Sequence, residues 1–288
     1  MLRAKEPKET LSMIARHRIG FFRANARLCR QIWQNRRQIA LLFWRDFTAP
    51  HRKNVLGVVW AYIMPLLPVS AFILLRAFIR PRDLGDAALI DPVVYVALGV
   101  TLWLVLRDCV MTPAESVKKY RGLVGNARFP MVGGLVIGFG TVALNTLIRA
   151  IACAVTIAIV GTYSLTGTAL AFVVLFAAFL LFFSVGILLI PVIAAIPDLN
   201  NLLTIIFRYL IFFSGAIWPV PMLFGSDAFY RLNPFAVFLA QIREAIVLGT
   251  MNDFAYLLPW LIIIPFVLLL AGRSFYALEP VLQESIMS

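Results

Sequence analysis

Asn233-Pro-Phe-Ala-Val-Phe-Leu-Ala-Gln-Ile-Arg-Glu-Ala-Ile-Val-Leu-Gly249 is the stretch on which the fold turns. Its ends are helix punctuation. Asn233 can accept hydrogen bonds from the first free amides, Pro234 suits the first helical position, and Gly249 is a natural stop. The helix over 234–248 has about 15 residues, roughly 22 Å at 1.5 Å per residue. That falls short of a hydrocarbon core about 30 Å thick. Gln241, Arg243 and Glu244 also interrupt its apolar surface. The stretch is therefore expected in the outer interface or as a re-entrant element; as a simple seventh span it would put the C-terminus outside.

On either side of it the chain is far more apolar than a soluble domain. Of its 288 residues 61% are hydrophobic and only 14% charged, against about 25% charged in ordinary soluble domains. Six stretches are long and apolar enough to satisfy their own backbone in lipid: about 55–78, 93–111, 132–160, 169–193, 202–218 and 256–271. The expectation is an all-α membrane protein with six transmembrane helices and short periplasmic re-entrant structure between the fifth and sixth. Residues 54–288 form its transmembrane domain.

The formal charge of +12 does not imply nucleic acid, because half of the 26 Lys and Arg residues precede Val55. Basic residues are retained on the inside during insertion, so this leader places the N-terminus in the cytoplasm. Parity over six spans then places the C-terminus there too, with Arg273 opening a short tail. Leu28, Ile32, Ile39, Phe43 and Phe47 recur at helical intervals among arginines. Residues 1–53 are thus read as a basic leader followed by an amphipathic helix on the membrane surface. No cleavable signal is expected, since the first long apolar run begins near Val55. The loop 112–130, with Lys118, Lys119, Arg121 and Arg128, is cytoplasmic by both charge and parity.

Catalytic chemistry is missing from the sequence. It has no Gly-x-x-x-x-Gly-Lys-Ser/Thr phosphate loop, so ATP would have to be used by another chain. His17 and His51 precede the first span, which leaves the spans without histidine for metal or proton relay. Cys29, Cys109 and Cys153 lack metal or redox spacing and read as structural. Arg107, Asp108, Arg149 and Arg208 lie within spans, where charge is costly. Arg107 and Asp108 point roughly 100° apart on a helix and are expected to pair elsewhere rather than with each other. They either line a polar conduit or snorkel to the cytoplasmic mouth, as Arg208 would; Arg149, deeper in its span, is the better conduit candidate.

Five stretches in order carry a resemblance. They are Leu41-Leu-Phe-Trp-Arg-Asp-Phe, Asn54-Val-Leu-Gly-Val-Val-Trp-Ala with Pro65, Tyr95-Val-Ala-Leu-Gly-Val-Thr-Leu-Trp, Asn126-Ala-Arg-Phe-Pro, and Asn233-Pro-Phe with Arg243. Together they resemble the permease subunits of ABC type-2 exporters for O-antigen, capsular polysaccharide and teichoic acid. Pro50-His51 and Pro197-Asp198 depart from that pattern, where an Arg-Tyr pair and Arg-Asp are usual. The resemblance implies a homodimer in the bacterial inner membrane enclosing a tunnel for a lipid-linked polysaccharide. Two copies of a separate ATPase would bind it; ATP and Mg would be theirs, and this chain would bind no cofactor or metal.

Arg45, Asp46, Lys118, Lys119, Tyr120, Arg121 and Arg128 would then receive the ATPase stroke. Trp60, Phe72, Arg149, Phe212 and Phe213 would face the tunnel, and Asn233, Arg243 and Glu244 would shape the periplasmic exit. Alternatives are an ABC permease for small drugs or lipids, or a membrane enzyme processing polyprenyl-linked glycans. The enzyme lacks a paired set of acids on the outer face, where Asp83, Asp86, Asp91, Asp227, Glu244 and Asp253 are scattered.

Overall fold

The computed structural model describes residues 19–52, 70, 74, 90–120, 129–160, 163–220 and 227–287. The first expected span, with Trp60 and Phe72, and the coupling residues Arg121 and Arg128 lie outside the described residues. Every regular element among the described residues is helical. In chain order these are α1 Phe21–Gln34, α2 Arg36–Arg52, α3 Pro92–Lys119, α4 Met131–Val160 and α5 Leu165–Ala195. They continue with α6 Asp198–Leu210, a 3₁₀ turn Ile211–Phe213, α7 Asp227–Leu232, α8 Pro234–Leu248 and α9 Phe254–Met287.

Four described helices are long and apolar enough to cross a membrane: those beginning at Pro92, Met131, Leu165 and Phe254. They make this a multi-pass membrane protein. Helix α3 is its centre, buried on all sides from Val94 to Trp103 and packed on α4, α5 and α8. Helices α3 and α4 run antiparallel. Thr101 meets Cys153 (3.1 Å), and further along Asp108 meets Arg149 (2.8 Å). Close passage depends on residues without bulk: a side chain at Gly186 of α5 would strike the Val110 carbonyl of α3, and one at Gly138 of α4 would strike Ser116.

Several bounds differ from the sequence expectation. Helix α3 does not end with the second apolar stretch at residue 111: it continues to Lys119, so the first part of the expected loop 112–130 is helix. Polar residues there stop insertion into lipid but not helix formation, and Lys118 and Lys119 suit the negative end of the helix dipole. The fifth apolar stretch is not one helix over 202–218. Its α-helical part, α6, has 13 residues and gives way to the 3₁₀ turn, and at Gly215 the backbone becomes left-handed (φ +77°). Arg208 is exposed near the end of α6. Arg273 lies inside α9, a single helix through Met287, so the stretch expected as a tail continues that helix.

The amphipathic segment is two helices, separated at Asn35, whose side-chain amide donates to the Gln31 carbonyl (2.8 Å) and competes with helix continuation. Helix α1 buries Ala24 and Leu28 and docks on the far end of α9. There Asn25 donates to the Leu269 carbonyl (3.1 Å), Arg27 to the Tyr276 hydroxyl (2.9 Å) and Arg273 to the Ile19 carbonyl (3.2 Å). Trp33, Leu41 and Trp44 remain exposed.

Candidate functional site: a buried arginine clamp and two charged clusters

Helix α8 occupies the bounds its cap residues imply. Asn233 Oδ1 accepts from the Phe235 and Ala236 amides (3.1 and 3.4 Å), and Gly249 ends the helix at φ +74°. Rather than lying loose on a surface, α8 is wedged against α5, α3 and α9. Ala236, Val237, Phe238, Leu239, Gln241, Ile242, Arg243 and Ala245 are buried. Phe235 and Phe238 stack with Phe182 of α5, and Phe235 also contacts Trp103 of α3.

Arg243 is only 2% exposed, a cation inside an apolar bundle. Burial of a charge is tolerated where donors find acceptors and the cation finds a counter-field. Elements far apart in sequence supply them at the Nη end, while Arg243 Nε is left without a hydrogen-bond partner among the described residues. An Arg243 Nη donates to the Gly215 carbonyl (3.0 Å), and the guanidinium lies over the Tyr95 ring of α3, 3.5 Å from its centre. The Tyr95 hydroxyl donates to the same Gly215 carbonyl (3.1 Å). At the other end of α8 the Asn233 amide donates to the Phe213 carbonyl (3.2 Å). Arg243 of α8 and the helix's cap residue Asn233 therefore grip the turn where the fifth stretch breaks.

Gly99, one helical turn beyond Tyr95, leaves room for this. A Cβ there would overlap both the Ala216 carbonyl oxygen and the guanidinium. Phe212 and Phe213 sit on the gripped turn with their rings partly exposed. Glu244 faces away from the clamp; it accepts from Gln241 (3.3 Å) and from the Asn252 amide (3.2 Å), fixing the connection to α9.

A second cluster joins α2 to the end of α3. Asp46 receives Lys119 Nζ (2.7 Å), Arg45 (2.8 Å) and the Tyr120 hydroxyl. Burial acts to raise the Asp46 pKa, but the hydrogen bonds from Lys119, Tyr120 and Arg45 outweigh it and hold the carboxyl at about 2. Burial and the adjacent carboxylate push the Tyr120 phenol up. Tyr120 packs with Ile39, Phe129 and Ile137 beneath the pair. Four of the expected coupling residues thus meet in one place, while Lys118 points outward.

The third cluster corrects an expectation. Arg107 and Asp108 do pair with each other, at 2.9 Å, and Asp108 is shared with Arg149 of α4 at 2.8 Å. The 100° rule describes Cβ directions; arginine's long stem curls round the helix to reach its neighbour. Arg149 Nη1 is buried without a hydrogen-bond partner among the described residues.

No group of three or more His, Cys, Asp and Glu able to hold a metal occurs among the described residues. An apolar cavity of about 560 Å³ opens between α3, α4, α5 and α8, lined by residues such as Leu98, Leu102, Ile151, Ala154, Phe172 and Ile246.

A model of the ABC-2 type transporter family matches residues 37–247, most of the chain and all three clusters. The chain belongs to the ABC-2 type transporter family. That family is one of membrane transport subunits. The chain is also similar to the O-antigen export system permease protein RfbA of Myxococcus xanthus, 24% identical over 104 residues, which is 36% of this chain. The match spans 38% of that protein's length.

The receptor for Arg243 went unrecognised in the sequence. Tyr95 and Gly99 share one helix face inside a quoted stretch, but nothing local connects that face to Arg243, or Gly215 to a residue 28 positions further on.

Proposed function

We propose that this ABC-2 subunit forms, as a homodimer, the inner-membrane conduit of an exporter for lipid-linked polysaccharide. Two copies of a separate ATPase power it, and both of its termini are cytoplasmic. The observation that carries the reading is the clamp: two of the stretches that resemble polysaccharide-export permeases, Tyr95 to Trp103 and Asn233 with Arg243, are bound into one unit through the Gly215 turn. That unit holds a helix too short to cross, which shapes the periplasmic mouth. Similarity to an O-antigen export permease supports the same substrate class. The Asp46, Lys119 and Tyr120 cluster, on the opposite ends of the helices, receives the ATPase stroke through α2.

Reconstitution with the partner ATPase tests it. Acceptor glycan on its lipid anchor should stimulate hydrolysis and appear in the vesicle lumen; no stimulation and no translocation with any such polymer would refute the proposal. A second reading, a permease for small apolar molecules, draws on the apolar cavity of about 560 Å³, a volume within the range of small-ligand pockets. It would be favoured if substitutions at Leu102 or Phe172 altered drug resistance while surface glycan stayed normal.

A further inference from the structure

The walls of the apolar cavity hold it open. Helices α4 and α5 are consecutive, and they touch in the halves far from their connecting turn, where Phe139 packs edge-on against Phe179 and Phe183. At the turn itself α5 is fastened to α8 instead. The Ser164 amide donates to the Ile246 carbonyl (2.8 Å), and Gly167 passes so close to α8 that a side chain there would strike the Ala245 carbonyl. Tied to α4 at one end and to α8 at the other, α5 cannot close the gap. The gap persists although Ala150, Ala154 and Ala158, recurring every four residues on its α4 wall, would let two helices meet.

Its chemistry selects hydrocarbon. Among the polar side chains that line it, Thr146 donates to the Val142 carbonyl, Thr168 to the Ser164 carbonyl and Cys153 to the Thr101 hydroxyl, so they are engaged within the protein. Dry apolar cavities take up apolar molecules. This one also opens sideways, since Leu147, Ile151, Leu165 and Phe172 of its lining are exposed, as the lipid-facing side chains of a membrane span are. Along α4 it runs from Thr146 to Ala158, about 18 Å of helix, close to the roughly 15 Å of one leaflet. Over that length a volume of about 560 Å³ leaves a section of about 30 Å², which admits one extended chain whose carbons stand about 4 Å from the atoms they touch. Tyr163, exposed at the end next to the turn, is a residue type that sits at headgroup level.

We infer that the gap between α4 and α5 is the seat of a resident phospholipid, with one acyl chain lying against Ile242 and Ile246 of α8 and the headgroup at the level of Tyr163. In the orientation proposed above this lipid belongs to the outer leaflet. It is a fixed part of the fold rather than cargo, so the site stands whether or not the chain exports glycan. The acyl chain supports the face of α8 next to the one that carries Arg243, and so braces from the lipid side the helix that the clamp holds from within.

The test uses the full chain in vesicles of phosphatidylethanolamine and phosphatidylglycerol, with a small fraction of the phosphatidylethanolamine carrying a diazirine midway along its palmitoyl chain. After illumination the labelled positions are read by peptide mass spectrometry. Surrounding lipid marks the exposed Ile262 and Phe266 of α9 in any case. Leu98, Leu102 and Ile242 are buried side chains that line the gap, so label on them reports its occupant. Ala154→Trp, at an exposed position of the lining, fills the gap with a side chain. Label at 98, 102 and 242 should then be lost while that on α9 persists. No label at those three positions in the parent chain, with α9 marked, would overturn the inference, and the first span or a second copy of the chain would be what covers the gap. Label there that survives Ala154→Trp would overturn it as well. Displacement by polyprenyl phosphate, but not by unlabelled phosphatidylglycerol, would overturn the choice of a phospholipid.

Discussion

Replacing Gly99 by alanine adds one methyl group to the face of α3 that receives the clamp. That Cβ would lie inside the envelope of two neighbours, the Arg243 guanidinium and the Ala216 carbonyl oxygen. The first is the end of a side chain and can yield. The second is backbone, in a turn gripped by Arg243, Tyr95 and Asn233, so the turn or the helix has to move until an ordinary carbon–oxygen contact of about 3.3 Å is restored. Overpacking of this kind costs about 1–3 kcal/mol, and an obstacle made of backbone argues for the upper end. Alanine returns about 1 kcal/mol through helix propensity. The net loss is about 2 kcal/mol, which for a chain of this size lowers the melting temperature by roughly 5 °C.

Gly134→Ala is the matched control. A Cβ there would meet the edge of the Tyr120 ring at 3.2 Å, which has to give by a few tenths of an ångström, and the Ser116 carbonyl oxygen at 3.4 Å, a far smaller overlap than at Gly99, so that the propensity gain roughly offsets it. Thermal unfolding of both purified variants in the same detergent, followed by tryptophan fluorescence, separates them. Gly99→Ala should melt below wild type and Gly134→Ala at or slightly above it. A Gly99→Ala protein as stable as the control would refute the close approach of the turn to α3, and with it the clamp.

Asn233→Ala removes the α8 cap and the bond to the Phe213 carbonyl; a loss of about 1 kcal/mol is expected, read as a lower melting temperature in the same assay. Asp108→Asn strips the shared partner from Arg107 and Arg149. Full burial of a broken pair costs about 3–5 kcal/mol, and partial exposure reduces this to about 2, so the variant should melt lower and be restored in part by Arg149→Met. For Asp46 the folded pKa is depressed from 3.8 to about 2, so its contribution is fully present above pH 4 and is lost as pH falls through about 2. Stability should therefore be independent of this group between pH 5 and 8, and Asp46→Asn should cost about 1 kcal/mol after solvent screening at every pH in that window.

Much of the architecture is legible in the residues where the signal is local. The bounds of α8 follow from Asn233, Pro234 and Gly249 because capping involves only neighbouring backbone. The ends of α3 and α9 were hidden because hydropathy reports the edge of the membrane rather than the end of a helix, and Lys118 or Arg273 can sit on a helix that has left the lipid. The break in the fifth stretch was hidden for the opposite reason: Ile211, Phe212, Phe213 and Ile217 keep the composition apolar across a turn. Of the charged groups, the meeting of Arg45, Asp46, Lys119 and Tyr120 could be anticipated from their placement at one end of the molecule. The bond between Asp108 and Arg149 depends on the register of α3 against α4, which Gly138 and Ser116 set by contact and no local pattern reveals.

The clamp also explains why an arginine stands where a methionine would pack more cheaply. A helix that breaks inside a membrane protein leaves carbonyls with no amide to accept from, and irregular backbone at that depth survives only where protein supplies the missing donors. Gly215 and Ala216 present such carbonyls, and Arg243 and Tyr95 supply the donors. The dependence runs both ways, since the Gly215 and Ala216 carbonyls are the acceptors recorded for the buried guanidinium. Arg243→Met should therefore cost more than the loss of its own contacts, because it leaves the turn without its charged donor. A combined Arg243→Met and Tyr95→Phe change, which removes both donors to Gly215, should cost more than the two single changes added together, since the single variants each retain one bond to that carbonyl.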